Sequence, residues 1–188
     1  MSSTSLGIID GSHHCEDLVK LFNQCFVKDW NTQLIQGAEE PIYLPANEPI
    51  SYNRVVFTRN YFSSALHEIA HWCIAGSERR RQQDYGYWYI PDGRSSQQQR
   101  KFERVESRPQ ALEWIFAKAC NSVFKVSLDN LRSPQNSAIA FKQFVVRDAQ
   151  GYSRSGLPER AALFYSTLAD YYGGPKSSSQ LKFNVSDL

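Results

Sequence analysis

The stretch ALHEIAHWCIA, residues Ala65–Ala75, is the most informative part of this 188-residue chain. Apart from one indole nitrogen, its only polar side chains are those of His67, Glu68 and His71. A helix that is apolar on nearly every side is buried. Burying two imidazoles and a carboxylate without partners costs several kcal/mol. We therefore expect a buried helix over about residues 61–75 in which these polar groups meet a partner.

The spacing of the two histidines predicts that the partner is a metal ion. His67 and His71 are four residues apart, so they lie one above the other on one helical face. They form an H-E-x-x-H motif, in which Glu68 lies beside the metal and takes or gives a proton. The competing interpretation is two core histidines bonded to backbone carbonyls. In a chain with four histidines the motif arises by chance only roughly once in two hundred sequences, so the metal site is favoured.

Two histidines do not complete a metal site, and other candidate ligands are few. The metzincin continuation needs Gly at position 74 and His at position 77, where this chain has Ile74 and Ser77. The cysteines form no C-x-x-C pair or Cys/His cluster, and we predict that they are reduced: Cys15, Cys25, Cys73 and Cys120. The third ligand is therefore expected to be a carboxylate or one of the remaining histidines.

A long predicted helix, about residues 96–121, offers the best third ligand. In its stretch FERVESRPQALEW, three polar side chains share one face: Glu106, Gln110 and Glu113. Glu106 is our predicted third ligand, with Gln110 as its hydrogen-bonding support. Glu113, His13 and His14 are the alternatives. Pro109 is expected to kink or divide this helix, which can rotate Glu106 relative to Glu113.

Two histidines and one carboxylate leave coordination positions open, as catalytic rather than structural sites do. Zinc that activates water for hydrolysis and iron(II) that activates oxygen both use this ligand set. The spacing of the motif alone favours a zinc peptidase. A non-catalytic binding module stabilised by a metal is a third possibility.

The whole chain is typical of one globular domain with a small sheet. Hydrophobic residues make up 41% and charged residues 21% of it. A net charge of +2 is too small to indicate binding to nucleic acid. No apolar run has the length of a membrane span, and the N-terminus lacks the pattern of a signal peptide. We therefore expect a cytoplasmic protein. The predicted architecture is α+β, with one domain over residues 13–174 and flexible termini at 1–12 and 175–188. Strands are predicted at 32–35, 41–44, 52–57, 84–90 and 124–128, and further helices near 12–26, 134–149 and 158–172.

Five stretches of the chain resemble the elongation factor P hydroxylase family of bacteria, and the resemblance extends from His13 to Tyr172. They are EPIYLPA at Glu40–Ala46, YNRVVF at Tyr52–Phe57, ALHEIAHWCIAG at Ala65–Gly76, DYGYWYIPDGR at Asp84–Arg94 and FERVESRPQALEW at Phe102–Trp114. The resemblance implies a non-haem iron oxygenase that uses molecular oxygen. It also implies that the substrate is one lysine of elongation factor P, hydroxylated at the side-chain δ-carbon after β-lysine has been attached. His67 and His71 match the family's metal ligands, completed by a carboxylate.

Two further features are compatible with a protein substrate. Residues 79–108 carry eight basic and four acidic side chains, a patch that can steer an acidic partner or be an ordinary solvated face. Four aromatic residues, Tyr85, Tyr87, Trp88 and Tyr89, can line a pocket for a lysine side chain or pack across strands. The His-x-Asp pattern of 2-oxoglutarate oxygenases is absent, so that co-substrate is not inferred.

Overall fold

The computed structural model describes residues 13–37, 39–84, 96–127 and 135–188. Within them it has an α+β architecture with a small sheet and several helices, which confirms the predicted fold class. The helices are α1 (Cys15–Trp30), α2 (Phe62–Ile74), α3 (Ser96–Ala119), α4 (Gln135–Ser155) and α5 (Glu159–Tyr172). Short 3-10 turns occur at Arg79–Arg81, Ser178–Gln180 and Val185–Asp187.

The sheet has three strands: β1 (Thr32–Gln36), β2 (Ile42–Leu44) and β3 (Asn53–Phe57). Their order is β1-β3-β2, with β1 parallel and β2 antiparallel to the central strand. Alternating side chains of the strands point into the core, among them Leu34, Val55 and Phe57. These three strands agree with the sequence prediction to within one residue at each end. The predicted strand over 84–90 falls, beyond its first residue, outside the described residues.

The core surrounds the motif helix α2. An aromatic cluster joins α1, α2 and α5, with the ring centroids of Phe26 and Trp72 4.7 Å apart and those of Phe22 and Phe164 5.9 Å apart. On its opposite side, α2 packs against α3. Because α2 is held from both sides, the positions of its polar residues are fixed by the packing of its apolar ones.

The C-terminal end of α2 differs from the sequence prediction. Gly76, which directly follows the predicted helix, is typical of a left-handed C-terminal cap, but the helix ends at Ile74 and Ala75 is extended, with φ −64° and ψ 128°. The Arg160 guanidinium donates hydrogen bonds to the carbonyls of Cys73 (3.0 Å) and Ala75 (2.6 Å). Since a side chain of α5 satisfies these terminal carbonyls, no left-handed glycine is needed.

Pro109 does not divide α3, which runs without a break through it. A proline inside a helix loses one backbone hydrogen bond and costs about 3 kcal/mol. The following turn is fully buried, with Leu112, Ile115 and Phe116 in the core. Burial of side chains of this size contributes about 1.5–3 kcal/mol each, which outweighs the loss. The strand predicted at 124–128 is also wrong over its described part, because residues 124–127 form no ladder.

The C-terminal segment 175–188 packs against the body, in contrast to the flexible tail that the sequence predicts. The Phe183 ring is 2% exposed and lies 4.6 Å from the ring of Trp114, edge to face. The backbone carbonyl of Phe183 accepts a hydrogen bond from the Gln150 side-chain amide at 3.0 Å, and the Tyr165 hydroxyl donates to the carbonyl of Pro175 at 2.7 Å. A buried aromatic anchor and these bonds hold the tail. The other predicted flexible terminus, 1–12, lies outside the described residues.

Candidate metal centre

Helix α2 places His67 and His71 on the one part of its surface that the core does not cover. Its buried face carries Leu66, Ile69 and Trp72, whereas the two histidine side chains are 24% and 12% exposed. One helical turn separates them, and their Nε2 atoms lie 3.1 Å apart. The apolar periodicity of α2 therefore turns two imidazoles toward α3.

Helix α3 presents two carboxylates to these histidines. The Oε2 atom of Glu106 lies 3.5 Å from Nε2 of His67 and 3.4 Å from Nε2 of His71. About two helical turns farther along α3, Oε2 of Glu113 lies 2.8 Å from Nδ1 of His67. Glu106 and Glu113 are 5% and 8% exposed, so both carboxylates are buried in contact with the motif.

The donor set fits a metal ion. Bonds of about 2.1 Å from zinc to nitrogen or oxygen place neighbouring ligand atoms roughly 3.0 Å apart in an octahedron and roughly 3.4 Å apart in a tetrahedron. The three atoms His67 Nε2, His71 Nε2 and Glu106 Oε2 are separated by 3.1, 3.4 and 3.5 Å. Acceptor atoms this close repel one another unless a proton or a cation lies between them. Among the described residues, these three form the one group of metal-ligating side chains that converges in this way.

Glu113 contacts His67 on the side away from the cluster. When the Nδ1 hydrogen of His67 is donated to the Glu113 carboxylate, the lone pair of the imidazole is left on Nε2. Metal-binding histidines usually have such a carboxylate or carbonyl partner, which fixes the tautomer and the ring orientation. The arrangement makes Glu113 a support for His67, and Glu106 the carboxylate that joins the two histidines.

The charges of the site favour a cation. Burial alone lowers the pKa of His67, but the hydrogen bond that its imidazole donates to Glu113 and the charges of Glu113, Glu68 and Glu106 outweigh it and raise that pKa to about 10. Burial raises the pKa of Glu106, yet the neighbouring His71 and His67 bring it down to about 2. With neutral histidines, the carboxylates of Glu68, Glu106 and Glu113 leave net negative charge around the two imidazoles. A divalent ion bound there would compensate this charge.

Glu68 lies next to the cluster. Burial raises the pKa of its carboxyl, the two histidines lower it in part, and the charges of Glu106 and Glu113 raise it further. Together with His71 it lines a small cavity of about 30 Å³ that also reaches Tyr43, Val55 and Trp72. A carboxyl with a raised pKa beside an open cavity is suited to accept and release protons.

The support predicted for Glu106 is different in the structure. Both amide atoms of Gln110 bind the backbone of Ser127: Nε2 donates to its carbonyl at 2.9 Å and Oε1 accepts from its N–H at 3.1 Å. Gln110 therefore fastens the segment after α3 to the helix instead of orienting Glu106. The sequence gives no signal for this contact, because nothing in the composition of residues 122–127 marks a partner for an amide.

The alternative histidine ligands lie away from the cluster. Nε2 of His13 is 2.8 Å from the carbonyl of Cys120, and its ring packs 4.9 Å from Phe62 and 5.4 Å from Tyr172. His14 is exposed at the N-terminal cap of α1. Neither belongs to the converging group.

The arginine run does not form a uniform basic surface. Arg79 is paired with Asp84, and Arg81 pairs with Glu78 at 3.2 Å on an exposed turn. Arg80 lines the small cavity beside His71. The aromatic residues proposed for a pocket, over 85–89, and Arg94 lie outside the described residues. None of the helices in the described ranges has both the length and the hydropathy that a bilayer crossing requires.

Comparisons with known proteins identify the family of this chain. A family model described as elongation factor P hydroxylase matches residues 21–183, which include both histidines and both glutamates. A protein of Haemophilus influenzae named elongation factor P lysine hydroxylase is 48% identical over 173 residues, covering 92% of this chain and 97% of that protein. Both matches extend over nearly the full length of the fold described above. The chain belongs to the elongation factor P hydroxylase family.

Proposed function

We propose that this protein hydroxylates a lysine side chain of elongation factor P, in the form that carries a β-lysyl group, at a mononuclear iron(II) centre. The family relationship supports the reaction and the protein substrate. The observation that carries the metal centre is the convergence of His67, His71 and Glu106 within 3.1–3.5 Å of one another. Two imidazoles and one carboxylate on one side of an ion are the ligand set of non-haem iron(II) oxygenases.

The overall reaction sets what the site must provide. One atom of dioxygen enters a C–H bond at the lysine δ-carbon, and the other leaves as water after two protons and two electrons arrive from an external two-electron reductant. Iron(II), when bound, supplies the activation of dioxygen. Because the substrate is a translation factor, the proposed place of action is the cytoplasm.

The protein's own residues have separable roles in this proposal. His67, His71 and Glu106 hold the ion and leave its remaining positions to exogenous ligands. Glu113 keeps the His67 imidazole in the tautomer whose Nε2 is free. Glu68 holds or moves a proton at its carboxyl, beside the ion rather than on it. The surrounding apolar core of α1, α2 and α5 keeps the ligand helix rigid.

The alternative, a zinc peptidase of the H-E-x-x-H plus Glu type, uses the same motif and the same set of two histidines and one glutamate. The family model and the Haemophilus influenzae relative are both hydroxylases by description, so the comparisons do not favour hydrolysis. In a hydroxylase the same Glu68 position serves proton transfer without directing water at an amide.

The decisive experiment measures one added oxygen atom. Purified protein reconstituted with iron(II) is incubated with β-lysylated elongation factor P and a reductant in air, and the substrate is analysed by mass spectrometry. Isotopically labelled dioxygen should label the product, and peptide fragmentation should place the oxygen on the modified lysine. A His67→Ala/His71→Ala variant, zinc-loaded protein and anaerobic samples are the controls. Substrate cleavage, or an unchanged substrate mass with iron fully bound, would refute the proposal.

A further inference from the structure

An open groove lies where α3, α4 and the turn before α5 meet. Its volume is about 470 Å³, and the residues that line it include Arg108 of α3, Arg147, Asp148 and Tyr152 of α4, and Leu157 and Pro158 of the turn. Tyr152 is buried, whereas both arginines are exposed. The groove therefore has an aromatic base and a basic edge, and a volume that is typical of binding sites.

Aromatic rings orient the two guanidinium groups of the groove. Cζ of Arg108 lies 6.0 Å from the centroid of the Tyr152 ring, and Cζ of Arg147 lies 5.1 Å from that of Phe144. A guanidinium that lies over a ring keeps N–H donors at its edge for a planar carboxylate. Because the rings already restrict these side chains, less entropy is lost when an anion binds.

The groove carries net positive charge. Asp148 is the one acidic side chain among the described residues that line it. Its Oδ2 accepts a hydrogen bond from the Ser107 hydroxyl at 2.6 Å, and its Oδ1 accepts one from Nη2 of Arg147 at 3.1 Å. Asp148 thus offsets the charge of Arg147, and that of Arg108 remains.

The basic surface continues beyond the groove. Arg104 precedes Arg108 by one turn of α3, and Arg154 follows Arg147 by two turns of α4, so each shares a helical face with a groove arginine. Both are exposed. The surface therefore favours a partner with several negative charges over a single small anion.

We propose that this groove, with Arg108 and Arg147, is the docking site for an acidic segment of elongation factor P. The inference rests on the proposed function and names a contact surface for the protein substrate. Specific protein complexes bury about 800 Å² on each partner, far more than one side chain at the metal centre supplies. The enzyme therefore needs a second contact surface, and the aspartate or glutamate carboxylates of a partner match its arginines.

One substrate molecule can contact the groove and the metal centre together. Glu106 and Arg108 are two residues apart, about 3 Å along the axis of α3. Glu106 approaches the histidines of α2, whereas Arg108 lies over Tyr152 of α4. The two sites are thus on different faces of one helix, and a helix with its side chains is only about 10–12 Å across.

A nucleic acid fits the groove less well than an acidic protein segment. Proteins that bind DNA or RNA neutralise several phosphates at once. This chain has a net charge of only +2, and the carboxylate of Asp148 lies within the groove.

The test removes both groove arginines and leaves the helices intact. Arg108→Gln/Arg147→Gln retains long polar side chains at two exposed positions, and glutamine is a good helix former. The matched control, Lys20→Gln/Lys28→Gln, removes the same charge from exposed positions of α1, outside the groove. Circular dichroism and metal analysis establish that each variant is folded and loaded with iron.

Calorimetry without oxygen measures binding to β-lysylated and to unmodified elongation factor P. The groove variant should bind both forms about fivefold or more weakly than wild type at low salt, the scale of two exposed charge pairs. The difference should decrease at about 1 M salt, where the screening length is about 3 Å. The lysine variant should bind like wild type.

Wild-type affinity in the groove variant, an equal loss in both double variants, or a loss confined to the β-lysylated form refutes the docking site while the hydroxylase function stands. The site is also refuted if the groove variant keeps its affinity for elongation factor P but loses affinity for a single-stranded RNA oligonucleotide. If wild type neither binds nor hydroxylates elongation factor P, the proposed function is refuted together with the inference.

Discussion

Nδ1 of His67 lies 2.8 Å from Oε2 of Glu113, on the side of the imidazole opposite the Nε2 atom that approaches Glu106 and His71. The two carboxylates of α3 thus contact the same histidine through different nitrogens. A carboxylate close to Nε2 lies next to the position that an ion would take. A carboxylate that accepts the hydrogen of Nδ1 fixes the tautomer of the imidazole. This difference gives distinct positions to the two glutamates, of which the sequence favours Glu106 as the ligand and keeps Glu113 as an alternative.

Replacing Glu106 with Ala should lower iron(II) affinity by more than about tenfold, because the change removes a ligand. Loss of a group that only supports a ligand already lowers metal affinity by about tenfold or more. Glu106→Gln should also weaken binding, since an amide oxygen carries no charge to offset the ion. The measurement is competition with a chromophoric chelator under anaerobic conditions. Wild-type affinity in Glu106→Ala would mean that another group completes the site.

Replacing Glu113 with Ala should weaken iron binding less than Glu106→Ala does, because the loss acts through His67. The expected reduction is on the order of tenfold, within the range for outer-shell partners of metal ligands. Glu113→Gln should recover part of the affinity, since its carbonyl oxygen still accepts the Nδ1 hydrogen. If Glu113→Ala proved the more damaging of the two alanine variants, the two glutamates would have the opposite roles.

Glu68→Gln should keep full metal content and lose activity by about 100-fold or more, the usual range for a general acid or base. The carboxyl lies beside the candidate ligands, and neutral Gln is similar in size. Metal analysis of the purified variant and single-turnover hydroxylation are measured on the same sample. Loss of the metal itself would identify Glu68 as a ligand.

Metal affinity should rise with pH. The carboxylates raise the pKa of metal-free His67 to about 10, so at neutral pH this imidazole carries a proton that the metal must displace from Nε2. Below that pKa, the apparent metal affinity should therefore increase by up to about tenfold for each pH unit. Calorimetry in buffers of different ionisation enthalpy should detect about one proton released per metal bound. Affinity that is flat between about pH 6 and pH 9 would contradict this linkage.

The sequence was sufficient to predict the helices and strands that depend on a local pattern of residues. The apolar periodicity around His67 and His71 predicted α2 and the shared face, and short extended stretches bounded by turn residues predicted all three described strands. It favoured Glu106 as the third ligand but could not exclude Glu113, which lies seven residues farther along the same face of α3. Which of them reaches Nε2 depends on how α3 crosses α2, and that angle is set by packing across the whole core.

The C-terminal segment was mispredicted for a related reason. The polar run before Phe183 suggests a loose tail, and local composition says nothing about distant partners. The ring of Trp114, on α3, and the amide of Gln150, on α4, create the place that Phe183 fills. Long-range contacts of this kind are decided by the assembled fold.

Phe183→Ala should therefore destabilise the protein markedly. Truncating a fully buried phenylalanine costs about 3–5 kcal/mol, because the transfer free energy is lost and a cavity is left. Denaturant unfolding of the metal-free protein, followed by circular dichroism, measures the change in free energy. Metal-free protein is used so that bound iron does not add to the measured stability.

Val185→Ala is the matched control in the same segment. Val185 is 39% exposed, and surface substitutions away from special features usually stay within about 0.5 kcal/mol. A large difference between the two variants would show that one buried ring, rather than the segment as a whole, anchors the C-terminus. If Phe183→Ala unfolds at the same denaturant concentration as wild type, the tail does not contribute to the stability of the core. Iron binding in Phe183→Ala should persist under native conditions, since Phe183 contacts Trp114 rather than the metal ligands.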